Sequence, residues 1–380
     1  MSVDLTSETP VSVHEREDNE LLRERLTSLP ILLLNVHEHC NCRCLMCDIW
    51  QRKDGKDLNL ADFARHRESL LRLGVRQVVL TGGEPLLHRD LTGLCSLLKE
   101  CGVKITLLTT GLLLSQRASV VAEGMDEIII SLDGPEEVHD RVRRVKGAYR
   151  LIDEGVQAIR EKKLGMPVHG RSTVQKVNHR LLRKTVEGAK ALSMDSISFL
   201  AADVTSQAFN RKLVWPGERQ NQIALTKQEI EMLEQEVEAL IRENADDIES
   251  GYIVESQAKL RRIIRRFREQ LGELAPIAPQ CNAPWVSAVM EVDGSVRPCF
   301  FHRPIGSTLE QTLERVINGD EAREFRASLN VTENPICRRC VCSLNLRPAP
   351  TLESTTVLPP VSSAPLRKAA REDKTLDYIP

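Results

Sequence analysis

Four cysteines are crowded into the segment HEHCNCRCLMCDIW (37–50), at positions Cys40, Cys42, Cys44 and Cys47. Cys40, Cys44 and Cys47 have the spacing CxxxCxxC. Three thiolates on one tight loop can bind three irons of a [4Fe–4S] cluster and leave the fourth iron without a protein ligand. Cys42 could instead complete a set of four ligands for zinc, and the spacing alone leaves both sites open.

A second group of cysteines lies near the other end of the chain. Cys281 and Cys299 are followed by the motif CRRCVC, which contains Cys337, Cys340 and Cys342. Four such thiols satisfy a structural zinc ion as well as they satisfy an iron–sulfur cluster. Either interpretation predicts a second metal centre in this part of the chain.

The charge and composition of the chain give no support for a nucleic-acid or membrane partner, and its cysteines suit a reducing compartment. The formal net charge is −2 with both signs spread along the chain, which gives no electrostatic argument for nucleic acid or an anionic membrane. The N-terminal residues are polar, and no apolar run approaches the ~18 residues of a membrane span. We therefore predict a cytoplasmic protein whose clustered thiols stay reduced.

The elements that position these thiols alternate between strands and helices. Several apolar runs are continuous, as in strands that are covered on both faces. The predicted strands are 31–36, 77–82, 104–110, 127–133, 168–174 and 196–200, and the predicted helices between them are 59–73, 90–100, 116–123, 147–163 and 180–192. This order predicts an α/β fold, a partial (β/α)6 TIM-like barrel. The first cysteine loop directly follows the first strand, at the barrel end where sites form.

The remaining segments differ in composition from the barrel. Thr226 with Glu229 fits a capping box, and two helical stripes follow it. Asp293-Gly294 predicts a hairpin turn among the later cysteines. We divide the chain into a flexible segment (1–28), the barrel (29–225), a helical connector (226–278), a cysteine-rich domain (279–346) and a disordered tail (347–380).

A run of arginines in the connector permits two interpretations. The arginines surround the second helical stripe, and they form either a solvated helix face or a patch for an acidic partner or substrate phosphate. They stand at positions 261, 262, 265, 266 and 268.

The cysteine loop and the next strand together resemble the radical S-adenosylmethionine (SAM) superfamily. The segment QVVLTGGEP (77–85) is similar to the one that closes the second strand in that family. Gly82 and Gly83 let the backbone approach a ligand closely, and Glu84 can accept a hydrogen bond from an ammonium group. The resemblance implies that Cys40, Cys44 and Cys47 hold the cluster and that Cys42 does not.

Other segments extend this resemblance to the SAM site. Ser131 and Asp133 of SLDGP are similar to contacts with ribose or the methionyl group, and Arg143 is placed near the SAM carboxylate. Thr109 occupies a polar strand end. Met46 is a departure, since an aromatic residue usually stands there near adenine.

The family resemblance also implies a reaction. The resemblance implies that SAM binds the open iron of the cluster. An electron from a low-potential donor such as flavodoxin or ferredoxin then cleaves SAM into methionine and a 5′-deoxyadenosyl radical. This radical takes a hydrogen atom from the substrate.

The later cysteines resemble the auxiliary-cluster domains called SPASM and, in the short form, twitch. The spacing from Cys281 through Gly294 to Cys299, followed by CxxC, is similar to that domain. It implies one auxiliary [4Fe–4S] cluster on Cys281, Cys299, Cys337 and Cys340. Cys342 could replace Cys340, or stand free as a hydrogen-atom donor.

The substrate is the least determined feature. Only about 28 residues precede the first strand, too few for a leader-binding domain, so we expect an oxidoreductase that dehydrogenates or epimerises a small molecule. The alternatives are a maturase of a peptide or protein side chain and a non-catalytic zinc or iron–sulfur protein.

Overall fold

One sheet of nine strands organises the described part of the protein. The computed structural model describes residues 24–52 and 55–346. The strand order is β6-β5-β4-β3-β2-β1-β7-β8-β9. The strands are β1 (Ile31–His37), β2 (Gln77–Gly82), β3 (Lys104–Thr109), β4 (Glu127–Ser131), β5 (Val168–Val174), β6 (Ser196–Ala201), β7 (Ser287–Met290), β8 (Ser295–Arg297) and β9 (Gly306–Ser307).

Helices connect the strands and form the segment between β6 and β7. In chain order they are α1 (Leu60–Ala64), α2 (Arg67–Arg72), α3 (Leu91–Glu100), α4 (Ala118–Gly124), α5 (Glu136–Arg143), α6 (Ala148–Lys162), α7 (Leu182–Ala191), α8 (Gly217–Asn221), α9 (Lys227–Glu243), α10 (Ala245–Glu249), α11 (Gln257–Gln270), α12 (Ala283–Val286), α13 (Leu313–Ile317), α14 (Asp320–Ser328) and α15 (Pro335–Arg338). In the part of the chain that is described, none of them is long and apolar enough to cross a membrane.

The parallel half of the sheet confirms the predicted α/β fold. All six predicted strands are present, with ends within two residues of the predicted ones, and β1 to β6 pair in parallel. Alternate side chains of β1 face opposite sides, so Leu32 and Leu34 join the core beneath the helices. Ile31 and Leu33 pack on the other face with Val289. Burial on both faces explains why these strands read as continuous apolar runs.

Two helical details differ from the predictions. The predicted helix 59–73 is divided into α1 and α2 at the buried His66. Helix α5 was not predicted, because its sequence EEVHDRVR is mostly charged and carries no long apolar stripe. It directly follows β4 and buries His139, Val142 and Arg143.

The cysteine-rich region is built onto the barrel sheet. Strand β7 pairs in parallel with β1, from Ile31 opposite Ser287 to Leu34 opposite Met290. The β7–β8 pair is antiparallel, and Gly294 has a φ of 80° in the predicted hairpin turn. The predicted boundaries of the barrel, connector and cysteine-rich domain stay predictions. The predicted flexible segment (1–28) lies largely outside the described residues, and the predicted tail (347–380) lies wholly outside them.

The predicted capping box is present at the start of α9. The Thr226 Oγ1 accepts a hydrogen bond from the Glu229 backbone N–H at 3.3 Å, and the Glu229 carboxylate accepts one from the Thr226 backbone N–H at 2.8 Å. Four otherwise unpaired N–H groups begin every α-helix, and this pair satisfies two donors at this end.

Thr226→Ala should reduce the free energy of unfolding by about 1 kcal/mol, because the side-chain half of the capping box is lost. Urea denaturation followed by circular dichroism measures the change. Lys227→Ala, at an exposed neighbouring position, is the matched control and should leave the midpoint unchanged. Equal midpoints for the two variants would contradict the stabilising role of the box.

Candidate metal and cofactor site

The first cysteine group borders a large cavity at the carboxyl ends of the barrel strands. Its thiol-bearing residues Cys40, Cys44 and Cys47 line a cavity of about 750 Å³, together with Met46. The loop that carries them begins where β1 ends. The predicted site residues that also line it are Gly82, Gly83, Thr109, Ser131 and Arg143.

The two glycines at the end of β2 let that strand close against the cysteine loop. The Gly83 N–H donates to the His37 carbonyl at 2.8 Å, and the Glu84 N–H donates to the His39 carbonyl at 2.9 Å. A Cβ on Gly83 would lie 2.0 Å from the His39 carbonyl oxygen, closer than any real Cβ contact. Gly82 has a φ of 121°, which L side chains rarely adopt. This close approach fixes where the loop begins.

Glu84 has a structural position that the sequence did not indicate. It is fully buried and is not among the residues that line the cavity. Its carboxylate accepts hydrogen bonds from the Leu86 N–H at 3.0 Å, the Thr109 hydroxyl at 2.7 Å and both the N–H and hydroxyl of Thr110 at 2.7 Å. Burial raises the pKa of Glu84, and these donors act in the opposite direction. The carboxylate thus ties the end of β2 to the end of β3, and its predicted contact with an ammonium group stays a prediction.

Arg143 at the end of α5 joins the cysteine loop to β4. Its guanidinium lies 2.7 Å from the Asp133 carboxylate and donates to the Cys44 Sγ at 3.5 Å. Burial disfavours its charge, but Asp133 and Cys44 raise the pKa of Arg143. The backbone carbonyls of Val142 and Arg143 also accept hydrogen bonds from loop N–H groups at 3.0 and 3.1 Å. A cation is therefore fixed beside one thiol at the cavity wall.

Asp133 is held away from the cavity surface. It is fully buried and does not line the cavity. Its carboxylate pairs with Arg143 and accepts a hydrogen bond from the Thr173 N–H at 2.9 Å. The predicted contact of Asp133 with SAM stays a prediction, and its observed partners give it the role of holding Arg143.

The loop thiols occupy different environments. The Cys42 thiol, as a hydrogen-bond donor, lowers the pKa of Cys44 to about 7, with burial opposing this and Arg143 contributing to it. A lowered pKa favours the thiolate that a metal requires. Cys42 itself is buried against Leu112 and Ala148 and does not line the cavity.

Within the described ranges, no three His, Cys, Asp or Glu side chains surround the position of one metal ion.

A segment that sequence analysis did not single out holds the other side of the loop. The Arg211 guanidinium, buried with Asp203 at 2.7 Å, donates to the Met46 carbonyl at 3.0 Å. It also stacks on the Trp215 ring, 4.0 Å from the ring centroid. Arg219 donates to the Leu45 carbonyl at 2.6 Å. These residues lie in a stretch without helical or strand periodicity, so no pattern in the sequence could have identified them.

The second cysteine group lines one small apolar cavity. Cys281, Cys299, Cys337, Cys340 and Cys342 all border it. Burial raises the pKa of Cys337 to about 12 and raises that of Cys299 further. A hydrogen bond in which the Cys340 thiol donates to Cys342 is the largest influence on the pKa of Cys340 and raises it. The structure brings all five predicted thiols together, and both assignments of the fourth ligand, Cys340 or Cys342, stay open.

The large cavity of the first cysteine group and the small cavity of the second group share lining residues. Phe300 and His302, which border the small cavity, also line the large one. The His302 imidazole lies 3.4 Å from the Cys337 Sγ, and burial lowers the pKa of His302 to about 4, so this ring is neutral at pH 7. The donor set around both cavities consists of soft thiols, which fit iron–sulfur clusters.

Comparison with known families matches both parts of the chain. The radical SAM superfamily pattern matches residues 34–186. The pattern of an iron–sulfur cluster-binding domain, SPASM, matches residues 281–341. The two matches contain the seven cysteines that the sequence assigned to metal centres, and Cys342, the alternative to Cys340, lies one residue beyond the second match.

Individual relatives match less than half of the chain. A "Probable GTP 3′,8-cyclase" of Sulfolobus acidocaldarius is 31% identical over 174 residues, covering 44% of this chain and 55% of that protein. The PqqA peptide cyclase of Rhodopseudomonas palustris is 29% identical over 171 residues, covering 44% and 45%. The chain thus spans about half the length of the curated relatives it matches.

A solved structure shares the fold over most of both chains. Streptococcus suis SuiB bound to its precursor peptide SuiA aligns with a TM-score of 0.59 at 15% identity, covering 90% of this chain and 80% of that one. The complex of SuiB with S-adenosylmethionine aligns with a TM-score of 0.58. At this identity the likeness establishes the fold.

Gly83→Ala should prevent iron binding by the first cysteine group, because the added Cβ must displace the His39 carbonyl and the loop with it. After anaerobic reconstitution, iron per chain should fall by about half relative to wild type. Gly165→Ala, where a Cβ meets nothing within 4 Å, is the control and should retain full iron. Equal iron in the two variants would show that the loop tolerates the displacement.

Proposed function

The chain belongs to the radical SAM superfamily and carries a C-terminal SPASM iron–sulfur domain, and from this membership we propose that it oxidises a side chain of a peptide substrate. The observation that supports the proposal most directly is the cavity of about 750 Å³, which the first cysteine group borders and which shares Phe300, Phe301 and His302 with the small cavity of the second group. A substrate in that cavity would lie between a site of hydrogen abstraction and an electron acceptor.

We assign the first cluster to Cys40, Cys44 and Cys47. When bound, the reduced [4Fe–4S] cluster supplies the electron that breaks the sulfonium C–S bond of SAM, giving methionine and a 5′-deoxyadenosyl radical. The chain's own residues orient the cofactor: the backbone at Gly82 and Gly83 borders the cavity without side chains. Arg143 places a cation next to Cys44, where the carboxylate of SAM would bind.

We assign the auxiliary cluster to Cys281, Cys299, Cys337 and Cys340, with Cys342 as the alternative to Cys340. Oxidation of the substrate removes one hydrogen atom, one proton and one electron. The 5′-deoxyadenosyl radical would take the hydrogen atom, solvent or a basic side chain would take the proton, and a cluster held by these cysteines would take the electron. This balance gives a two-electron oxidation and consumes SAM.

A peptide substrate has more support than the small molecule that the sequence favoured. The PqqA peptide cyclase is a relative in sequence, and SuiB, whose fold is similar, was solved with a precursor peptide. The cavity also contains an aromatic pair, Phe209 and Phe301, with ring centroids 6.3 Å apart in an edge-to-face arrangement. Such a pair suits an apolar or aromatic side chain.

A small-molecule substrate stays the second candidate. The "Probable GTP 3′,8-cyclase" relative, at 31% identity, carries a name that specifies a nucleotide. For either substrate class we propose a cytoplasmic enzyme that takes electrons from a flavodoxin or ferredoxin, since its free cysteines suit a reducing compartment.

The cluster assignment predicts a specific loss of iron. Wild type reconstituted without oxygen should contain about eight irons per chain. The Cys40→Ala/Cys44→Ala/Cys47→Ala variant should retain about four and release no 5′-deoxyadenosine from SAM under dithionite. Cys42→Ala, on the same loop but outside the cavity, should keep the wild-type iron content and the cleavage activity. Zinc in place of iron, or full iron in the triple variant, would contradict the assignment.

The substrate class can be tested before the substrate is known. An extract of cells grown in deuterated medium is divided by a size-exclusion filter into a peptide fraction and a metabolite fraction, and each is incubated with reduced enzyme and unlabelled SAM. Mass spectrometry should find deuterium in the 5′-deoxyadenosine formed with the peptide fraction, because the abstracted hydrogen comes from the substrate. Deuterium from the metabolite fraction alone would favour the small-molecule alternative, and the triple cysteine variant is the blank.

A further inference from the structure

A third cavity lies beside the auxiliary cysteines, next to α11. It has a volume of about 60 Å³, and it is bordered by Cys340 and Cys342 together with two arginines of that helix, Arg262 and Arg266. The sequence allowed two interpretations of the arginine run, a solvated helix face or a patch for an acidic partner. In the structure, two of the arginines instead face the cysteine-rich region.

The outward members of the run are neutralised by α9 and by the segment that follows α11. Arg261 pairs with Glu238 at 2.7 Å. Arg268 lies 2.8 Å from Glu234 and 3.3 Å from Glu273. Carboxylates of the chain itself therefore neutralise the outward arginines, in a network of ion pairs on the solvent side of the two helices. These arginines need no acidic binding partner.

Arg262 differs from its neighbours in its surroundings. Its side chain is half-buried, and its one hydrogen bond among the described residues goes to the Ile277 carbonyl at 3.5 Å. No carboxylate of the described chain lies within ion-pair distance of it. Burial lowers the pKa of Arg262, while Glu269, Cys340 and Cys281 act in the opposite direction. The side chain of Arg262 borders the same cavity as Cys340 and Cys342.

Arg266 lies one helical turn further along and is partly compensated. It is 4% exposed, donates to the Thr205 hydroxyl at 2.9 Å, and lies 3.4 Å from the Glu269 carboxylate. Glu269 also pairs with Arg265 at 2.9 Å. Of the two arginines that border this third cavity, Arg262 is thus the one whose charge has no paired carboxylate among the described residues.

We propose that Arg262, assisted by Arg266, raises the reduction potential of the auxiliary cluster held by the second cysteine group. The inference rests on the function proposed above, since it requires a cluster at that position. Four thiolates give such a cluster a negative charge that grows when an electron is added. A fixed cation in a half-buried position stabilises the more negative, reduced state, and local charge is one of the factors that set iron–sulfur potentials.

This role deepens the proposed oxidation of a substrate. The electron left on the substrate after hydrogen and proton removal must pass to an acceptor, and a cluster with a higher potential accepts it more readily. Arg262 touches neither substrate nor SAM in the large cavity, because it does not line that cavity. Arg262 is therefore a positioning residue: it places a positive charge beside the auxiliary cluster and affects the reaction through that cluster.

The test measures the midpoint potential of the auxiliary cluster directly. The full-length Cys40→Ala/Cys44→Ala/Cys47→Ala variant serves as background, so that a single cluster contributes to the electron paramagnetic resonance signal. Arg262→Gln in this background should shift the midpoint to lower potential, and Arg266→Gln should shift it less. Arg262→Lys, which keeps the charge, should restore most of the wild-type value.

The matched control is Arg261→Gln, which removes the same charge from the adjacent position on the outward side of the helix. It should leave the midpoint at the background value. Equal shifts in Arg262→Gln and Arg261→Gln would overturn the proposal while leaving the cluster assignment intact. A shift in Arg262→Lys as large as in Arg262→Gln would also overturn it, because packing and not charge would be responsible. A background variant that binds no iron would instead contradict the cluster assignment itself.

Discussion

The site depends on hydrogen-bond partners for the backbone of the cysteine loop, which forms no regular helix or strand of its own. Between the end of β1 and residue 48, the cysteine loop presents N–H and C=O groups that must find partners elsewhere, and a buried group left unpaired costs about 1–3 kcal/mol. Three separate elements supply those partners: the end of β2, the last carbonyls of α5, and the arginines of the segment 203–219. Three thiols can face one cavity because the loop backbone is held from behind by these partners.

The same constraint explains why the two acidic residues of the site face inward. Glu84 and Asp133 are fully buried, and each connects the ends of two strands or a strand and a helix. A buried carboxylate is stable only when its oxygens have donors, which Thr109, Thr110 and Arg143 provide. At the ends of β2 and β4 the cavity wall is consequently formed by Gly82, Gly83 and Ser131, while the carboxylates of Glu84 and Asp133 lie behind it.

Sequence alone predicted the parts of this arrangement that follow a period or a fixed spacing. The six strands could be predicted because buried parallel strands are continuously apolar, and both thiol groups could be predicted because metal ligands keep their spacing. Helix α5 and Arg211 could not, since a charged helix and an irregular buried ion pair follow no period. The direction in which Glu84 points is likewise set by tertiary contacts with β3, which no local pattern records.

The position of β7 determines how the two thiol groups act together. Because β7 pairs with β1 in the same sheet, the loop that follows β1 and the hairpin that follows β7 leave the sheet side by side. Hydrogen-bonded strands lie about 4.8 Å apart and slide only by breaking their ladder, so the sheet limits how far the two metal centres can separate. An auxiliary centre attached by a flexible linker would not keep this relation. In the proposed oxidation, building it onto the edge of β1 would place the electron acceptor at a fixed distance from the substrate, and the charge on Arg262 would tune a transfer whose geometry the sheet sets.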